Sequence, residues 1–307
     1  MKKFIITAIL FAVTFTSQSQ SLGYQDLGLL FSQNDNNGTS RFMSMGGAFG
    51  ALGGDISSIN INPAGLSVFT NSVFAATLNS RSSDINTNYY GNSTLTQDQF
   101  INFSQAGAVL VFDSYFDKEW SKFAVGFNYR VTKDFNDGFI AQGNSGLATF
   151  TNFPLDNNNP PIEYNIADEQ RFNNTFLGEQ SELNIAFSAV HQNKLYVGLG
   201  LNFHDIEFSQ QSTLTEFNSD SNGNELDANL YQENFTTGTG FSANAGFIYK
   251  AHPNFRFGLS YQTPTWFTEI LEESNITNND GFDGDTEIVV SNDNVIYDNT
   301  SGGFFPI

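Results

Sequence analysis

In the segment KFAVGFNYR, Phe123, Val125, Phe127 and Tyr129 alternate with Lys122, Ala124, Gly126, Asn128 and Arg130, and the same two-residue period returns in four later segments. LNIAFSA puts Leu183, Ile185, Phe187 and Ala189 on one face, and LYVGLGLNF puts Leu195, Val197, Leu199, Leu201 and Phe203 there. FSANAGFIY adds Phe241, Ala243, Ala245, Phe247 and Tyr249, and FRFGLSY adds Phe255, Phe257, Leu259 and Tyr261. Period two means strand, because successive side chains of an extended chain point to opposite sides. None of these apolar positions is charged. The opposite face holds Lys122, Arg130 and Arg256, and its only bulky apolar or aromatic residues are Tyr196 and Ile248. A charge at mid-membrane on the outside of a barrel costs about 2–4 kcal/mol, so a charge-free face is what lipid contact selects.

A soluble sandwich also alternates, but its turns are comparably short at both ends. Here the connections are uneven. Asp113–Glu119, His191–Asn193 and Ala251–Asn254 are tight and polar, whereas Val131–Gln180, Asp205 to about Tyr231, and about Thr265 to Asp285 read as long loops. Short turns on one side and long loops on the other match the periplasmic and extracellular ends of an outer-membrane barrel. The expected fold class is therefore all-β, a transmembrane antiparallel β-barrel. On this reading Phe127 faces lipid, while Asn128 faces a wet lumen and tolerates replacement by Arg.

The ends of the chain point the same way. Residues 1–19 read as a secretory signal peptide, with Lys2 and Lys3 ahead of an apolar core from Phe4 to Phe15 and a small-x-small site at Ser17-Gln18-Ser19. That core is too short for a spanning helix, which needs about 20 apolar residues. An exported chain without a helical span is periplasmic, secreted, or a barrel in the bacterial cell outer membrane. The net charge of −20 argues against nucleic acid as a partner, since phosphate binding calls for a basic surface. With no cysteine, neither disulfides nor thiolate metal sites are available. The 33 Phe and 11 Tyr among 307 residues suit a lipid-facing aromatic surface better than a soluble core rich in Leu, Val and Ile.

Ahead of the strands, Ser40–Phe69 reads SRFMSMGGAFGALGGDISSININPAGLSVF. Its glycines at 46, 47, 50, 53 and 54 form neither a G-x-G-x-x-G fingerprint nor a P-loop, and instead let a compact segment bend tightly. Asn62-Pro63 is a rigid turn, because Pro fixes its own φ and restricts the residue before it. The combination of Met45-Gly46-Gly47-Ala48-Phe49, Gly54-Asp55 and Asn62-Pro63-Ala64 resembles the N-terminal hatch of the FadL/TodX family of outer-membrane transporters for long-chain fatty acids and aromatic hydrocarbons.

The resemblance implies a signal peptide at 1–19, a hatch or plug of short helices and turns at 20–70, and the N-terminal part of a barrel at 71–307. It also implies passive transport of hydrophobic small molecules without a chemical step, catalytic residue, metal or cofactor. The hatch and gate residues it carries over are Gly46, Gly47, Asn62, Pro63 and Ala64. The partners implied are a hydrophobic ligand and outer-membrane lipid and lipopolysaccharide, with the chain a monomer. The family's ligand-lining residues do not map onto individual positions here.

About eight strands are visible, and the weaker ones are Phe100–Phe112, blurred by Gln105 and Leu110, and Glu287–Tyr297, interrupted by Asn292 and Asn294. About eight strands enclose too little room for a hatch, against about fourteen in the family, so strands are expected beyond the loop-like Gly302–Ile307.

Other chemistry is thinly represented. His191, His204 and His252 are scattered, and Ser145 in Gly-Asn-Ser-Gly lacks the second half of a nucleophile elbow. Asn278–Glu287 gathers carboxylates without EF-hand spacing and reads as a solvated acidic loop rather than a calcium site. Two rival functions share the architecture: a barrel acting as a shuttle or scaffold in an outer-membrane protein secretion system, and an outer-membrane lipase.

Overall fold

The computed structural model describes residues 29–115, 119–153, 156–279 and 287–298, giving only the strands beyond 267. The signal peptide at 1–19, the first part of the 20–70 segment, most of Asn278–Glu287 and all of Gly302–Ile307 lie outside the described residues. The chain forms two compact units, Met1–Gln33 with Ile307, and Asn34–Pro306. In the first, Leu29–Gln33 makes a helical turn, with Gln33 N–H on Leu30 O at 3.3 Å.

The second unit is an antiparallel sheet curled like half a barrel. Its strands are β1 (Val73–Tyr89), β2 (Asn92–Asp113), β3 (Trp120–Asp134), β4 (Asp137–Gly143), β5 (Ile166–His191), β6 (Leu195–Ser219), β7 (Glu225–His252), β8 (Phe255–Gln262), β9 (Trp266–Asn279) and β10 (Glu287–Asp298). The hydrogen-bonded order is β1-β2-β3-β5-β6-β7-β9-β10. β4 continues the line of β3 along β5, and β8 and β9 share one edge of β7. Thr263-Pro264-Thr265 breaks that shared line, as Pro does by lacking a ladder donor.

The alternation places its apolar set on the outer face. Phe74, Leu78, Phe112, Phe127, Phe187, Leu199, Leu201, Phe257 and Leu259 are all exposed, and cross-strand register joins them into one belt. An exposed apolar surface of this extent is an interaction surface. Among the described residues no helix is long and apolar enough to cross a membrane.

Three segments read as long loops are instead mostly strand. β6 and β7 run on past the belt and are joined by the short turn Asp220–Asn224. β4, β5 and β9 likewise occupy much of Val131–Gln180 and Thr265–Asp285. Beyond the belt both faces are polar, as in FSQQSTLTEFNS, so period two disappears while the backbone ladder continues. In the turn, hydrogen bonds from Asn224 and then Asn222 hold the Asp220 carboxyl down at about 2.

β2 also has an identifiable irregularity. Thr77 faces Gln105 but Leu78 faces Phe103, so Ser104 is an extra residue, a β-bulge that reverses the phase. This explains why Gln105 sits buried while Phe103 and Leu110 are exposed. A bulge bends its strand, and β2 leaves β3 at this level: their pairing ends at Gln105↔Arg130. Above it the N-terminal segment takes β2's place, with Asp35 N–H on Thr132 O at 2.6 Å and Asn37 Nδ2 on Val131 O at 3.1 Å. The parted β1–β2 hairpin is tied across by Arg81 to Asp134 and Asp137, at 3.1 and 3.4 Å.

Candidate functional site

Residues 34–70 sit on the concave face and build themselves from caps. Thr39 precedes a one-turn helix α1 (Ser40–Ser44) and its hydroxyl accepts from Phe42 N–H at 3.1 Å. The same hydroxyl lies 2.9 and 2.8 Å from the two Asp55 carboxylate oxygens. Asp55 in turn accepts from Ser57 N–H at 3.0 Å, capping the 3-10 turn Ile56–Ile59. Gly46 and Gly47, with φ of 59° and 74°, turn the chain out of α1 in the left-handed region. Ile56, Ile59 and Leu66 then form a small core with Val109, Ala124 and Ala186 of the sheet.

Asn62, Pro63 and Ala64 act as one device, and all are fully or nearly fully buried. The Asn62 side chain accepts from Ala64 N–H at 3.1 Å, capping the 3-10 turn Pro63–Val68. Its amide nitrogen donates to Gly50 O at 2.7 Å and to Phe247 O of β7 at 3.1 Å. One residue thus ties the turn to the rest of its segment and to the sheet. Further ties are Asn244 Nδ2 to Ile59 O and Asn60 O, both 3.1 Å, Ser67 Oγ to Ser188 Oγ at 2.7 Å, and Lys122 Nζ to Phe69 O at 2.7 Å. Gly46 and Gly47 are not part of this anchor; Gly47 meets Asn36 and Phe42, and Gly46 faces open space.

Sequence reasoning missed the socket. At Gly198 a Cβ would lie 2.3 Å from Ala64 N, and at Gly246 it would lie 2.3 Å from Asn62 Oδ1. Gly107, Gly126 and Gly258 receive Ile56, Leu66 and the Gly50-Ala51 backbone in the same manner. The available signal was the near absence of bulky apolar residues from the inward face, which reads as a lumen lining but is a seat for the chain's own N-terminal segment. The expected tolerance of Asn128→Arg is overturned for the same reason: Asn128 is 1% exposed, in a packed interior with no room for a guanidinium. Gly198→Ala is expected to cost about 1–3 kcal/mol by overpacking. Urea titration and faster proteolysis within 34–70 should both register it, and unchanged proteolysis would refute the seat.

Above the seat runs a buried polar row. Arg130 Nη2 lies 3.0 Å from Glu182 Oε2, and Asn60, with its amide oxygen turned to Arg130, accepts from Nη1 at 3.0 Å. Asn184 Nδ2 donates to Asn202 Oδ1 at 2.8 Å, and Asn202 Nδ2 to Ser242 Oγ at 3.1 Å. His204 Nε2 is 2.8 Å from Ser242 Oγ, and its Nδ1 is 4.0 Å from Glu182 Oε2. This brings a serine, a histidine and a carboxylate into line, yet Ser242 has no exposed surface and Glu182 is engaged by Arg130.

The other two histidines lie elsewhere. His191 packs on Trp120 at 5.0 Å, and His252 Nδ1 accepts from Asn254 N–H within its own turn. Ser145 Oγ bonds locally to Leu147 O at 2.9 Å. Among the described residues no group of three His, Cys, Asp or Glu is placed to hold a metal. No protein-family model, curated protein or solved structure matches the chain. The geometry of the two sheet faces is therefore what speaks to function.

Proposed function

We propose that this chain is part of a hatch-bearing β-barrel of the bacterial outer membrane that lets hydrophobic small molecules, such as long-chain fatty acids, cross by diffusion. The observation that carries the reading is the division of labour between the faces: an exposed apolar belt outside, and the chain's own residues 34–70 seated inside. The belt on β6 runs from Leu195 to Phe203, close to the stretch of about 9–11 residues with which a tilted strand crosses an outer membrane. The short connection from β2 to β3 and the tight turn at 192–194 then lie in the periplasm, and the strands extending past the belt project from the cell.

The parting of β2 from β3 above Gln105 supports a sideways exit for ligand, with Asp35 and Asn37 as its stopper. No chemical step, metal or cofactor is needed for this work. Cells producing the full-length protein should take up a labelled long-chain fatty acid faster than cells without it, and equal uptake would overturn the reading. Pro63→Gly should leave assembly intact and change flux per assembled molecule, because Pro63 holds the turn against Gly198. Lower yield with unchanged flux would reduce the turn to a folding role.

A further inference from the structure

Residues 144–153, which follow β4, fold inside the curl of the sheet rather than away from it. Glu216 and Asn218 follow Asn202 and His204 on β6 in unbroken register, so they point to the same concave side. Glu216 Oε2 accepts from Thr149 N–H at 2.9 Å, Phe150 N–H at 3.2 Å and Asn218 Nδ2 at 3.1 Å, and its Oε1 accepts from Gln170 Nε2 at 2.6 Å. Asn218 Nδ2 also donates to Phe150 O at 2.9 Å, and Gln170 Nε2 to Leu147 O at 3.1 Å. Gln170 Oε1 accepts from Ser145 N–H at 3.1 Å and from the Tyr89 hydroxyl at 3.0 Å. The hub of Gln170, Glu216 and Asn218 thus fastens the limb 144–153, together with the tip of the β1–β2 hairpin, across the concave face.

This limb is held differently from residues 34–70. That segment buries Phe42, Phe49, Ile59 and Leu66, whereas none of residues 144–153 is buried and Leu147 is 74% exposed. The limb's hold on the sheet is a set of hydrogen bonds centred on the Glu216 carboxylate, which has no exposed surface. Apolar packing resists separation in proportion to the area it re-exposes. Hydrogen bonds resist it less, because water takes the place of each donor as the limb lifts. A polar fastening with no buried side chains is the mark of a segment that opens locally while the rest stays folded.

We infer that residues 144–153 are a lid over the extracellular mouth of the lumen, latched shut by Glu216, and that its lifting admits the ligand. The inference rests on the transport reading above, on which β6 projects from the cell at this level and the concave side is the passage. The lumen is then closed twice, by a packed segment below and a latched one above. A ligand arriving from outside meets the lid first, so the latch sets the rate of entry.

Because the chain has no cysteine, a single introduced thiol reports the lid. Ala228 is the cross-strand partner of Glu216 and has no exposed surface. In the full-length protein on whole cells, Ala228→Cys should react slowly with a methanethiosulfonate reagent. Adding Glu216→Gln, which turns one accepting oxygen into a donor, should speed the reaction about 10- to 100-fold, the worth of a hydrogen bond to a charged group. It should also raise uptake of a labelled long-chain fatty acid per assembled molecule. Ala124→Cys, beneath residues 34–70, should stay unreactive with or without Glu216→Gln. If Glu216→Gln does not assemble, Asn218→Ser, which cuts the tie to Phe150 O and leaves Glu216 on Thr149 and Phe150, takes its place with a smaller effect. Unchanged labelling at Ala228→Cys overturns the latch, and faster labelling with unchanged uptake overturns the lid's part in entry. Wild-type cells that take up no more fatty acid than cells without the protein sink the transport reading and the lid with it, whereas the first two results leave transport standing.

Discussion

Glu182→Ala is expected to destabilise the folded protein by about 3–5 kcal/mol, because it leaves the Arg130 guanidinium buried without its counter-charge. Arg130 is 8% exposed and Glu182 3%, so water cannot replace the lost partner. The damage should spread beyond β3 and β5. Asn60 accepts from the same guanidinium, so the pair also fastens residues 34–70 to the sheet. Urea unfolding of the refolded protein should give the free energy, and limited proteolysis should show 34–70 cut sooner. The double replacement Arg130→Met with Glu182→Leu should recover most of the loss, since apolar groups of similar volume need no pairing in a dry interior. A loss below about 1 kcal/mol for the single variant, the scale of a solvent-exposed pair, would show that the pair is hydrated and does not lock the segment.

Phe127→Arg is expected to cost about 2–4 kcal/mol when the protein is folded into lipid vesicles, because Phe127 lies within the outward belt. The same substitution in a water-soluble fold predicts nearly nothing. Phe127 is 42% exposed, and a charged residue at such a surface position usually shifts stability by no more than about 0.5 kcal/mol. The two environments therefore give different answers from one variant. Phe127→Leu keeps the position apolar and serves as the reference. If Arg and Leu refold into vesicles with equal yield and equal urea midpoints, the belt does not face lipid.

In the five alternating segments of β3, β5, β6, β7 and β8 the outward face was legible in the chain. Period two, the absence of charge from one set of positions and the shortness of the β2–β3 and β5–β6 connections required nothing beyond local sequence, because a strand's facing is fixed by its own covalent geometry. The Asn62-Pro63 turn was legible for a similar reason, since a fixed φ acts locally, whereas the Asn62 side-chain cap on Ala64 emerged only from the structure. The long outer halves of β6 and β7 were not. There both faces are polar, so nothing in FSQQSTLTEFNS separates a strand from a loop until a partner strand supplies its hydrogen bonds.

The bulge at Ser104 shows the same limit more sharply. Its local trace is a phase that fails at Gln105, but only the pairing of Thr77 with Gln105 and Leu78 with Phe103 identifies an inserted residue and a strand that leaves its neighbour. The inward face is the largest case. Asn128 looked like the lining of a wet space, and the small residues beside it, such as Gly198 and Gly246, carried no mark of the backbone they receive, because small and polar residues satisfy water as well as they satisfy a closely packed backbone. Local sequence is enough to say which side of each strand is apolar and where the N-terminal segment bends. What the other side touches is set by the assembled sheet, because that contact joins residues such as Asn62 and Phe247, whose distance along the chain leaves no period or spacing to read.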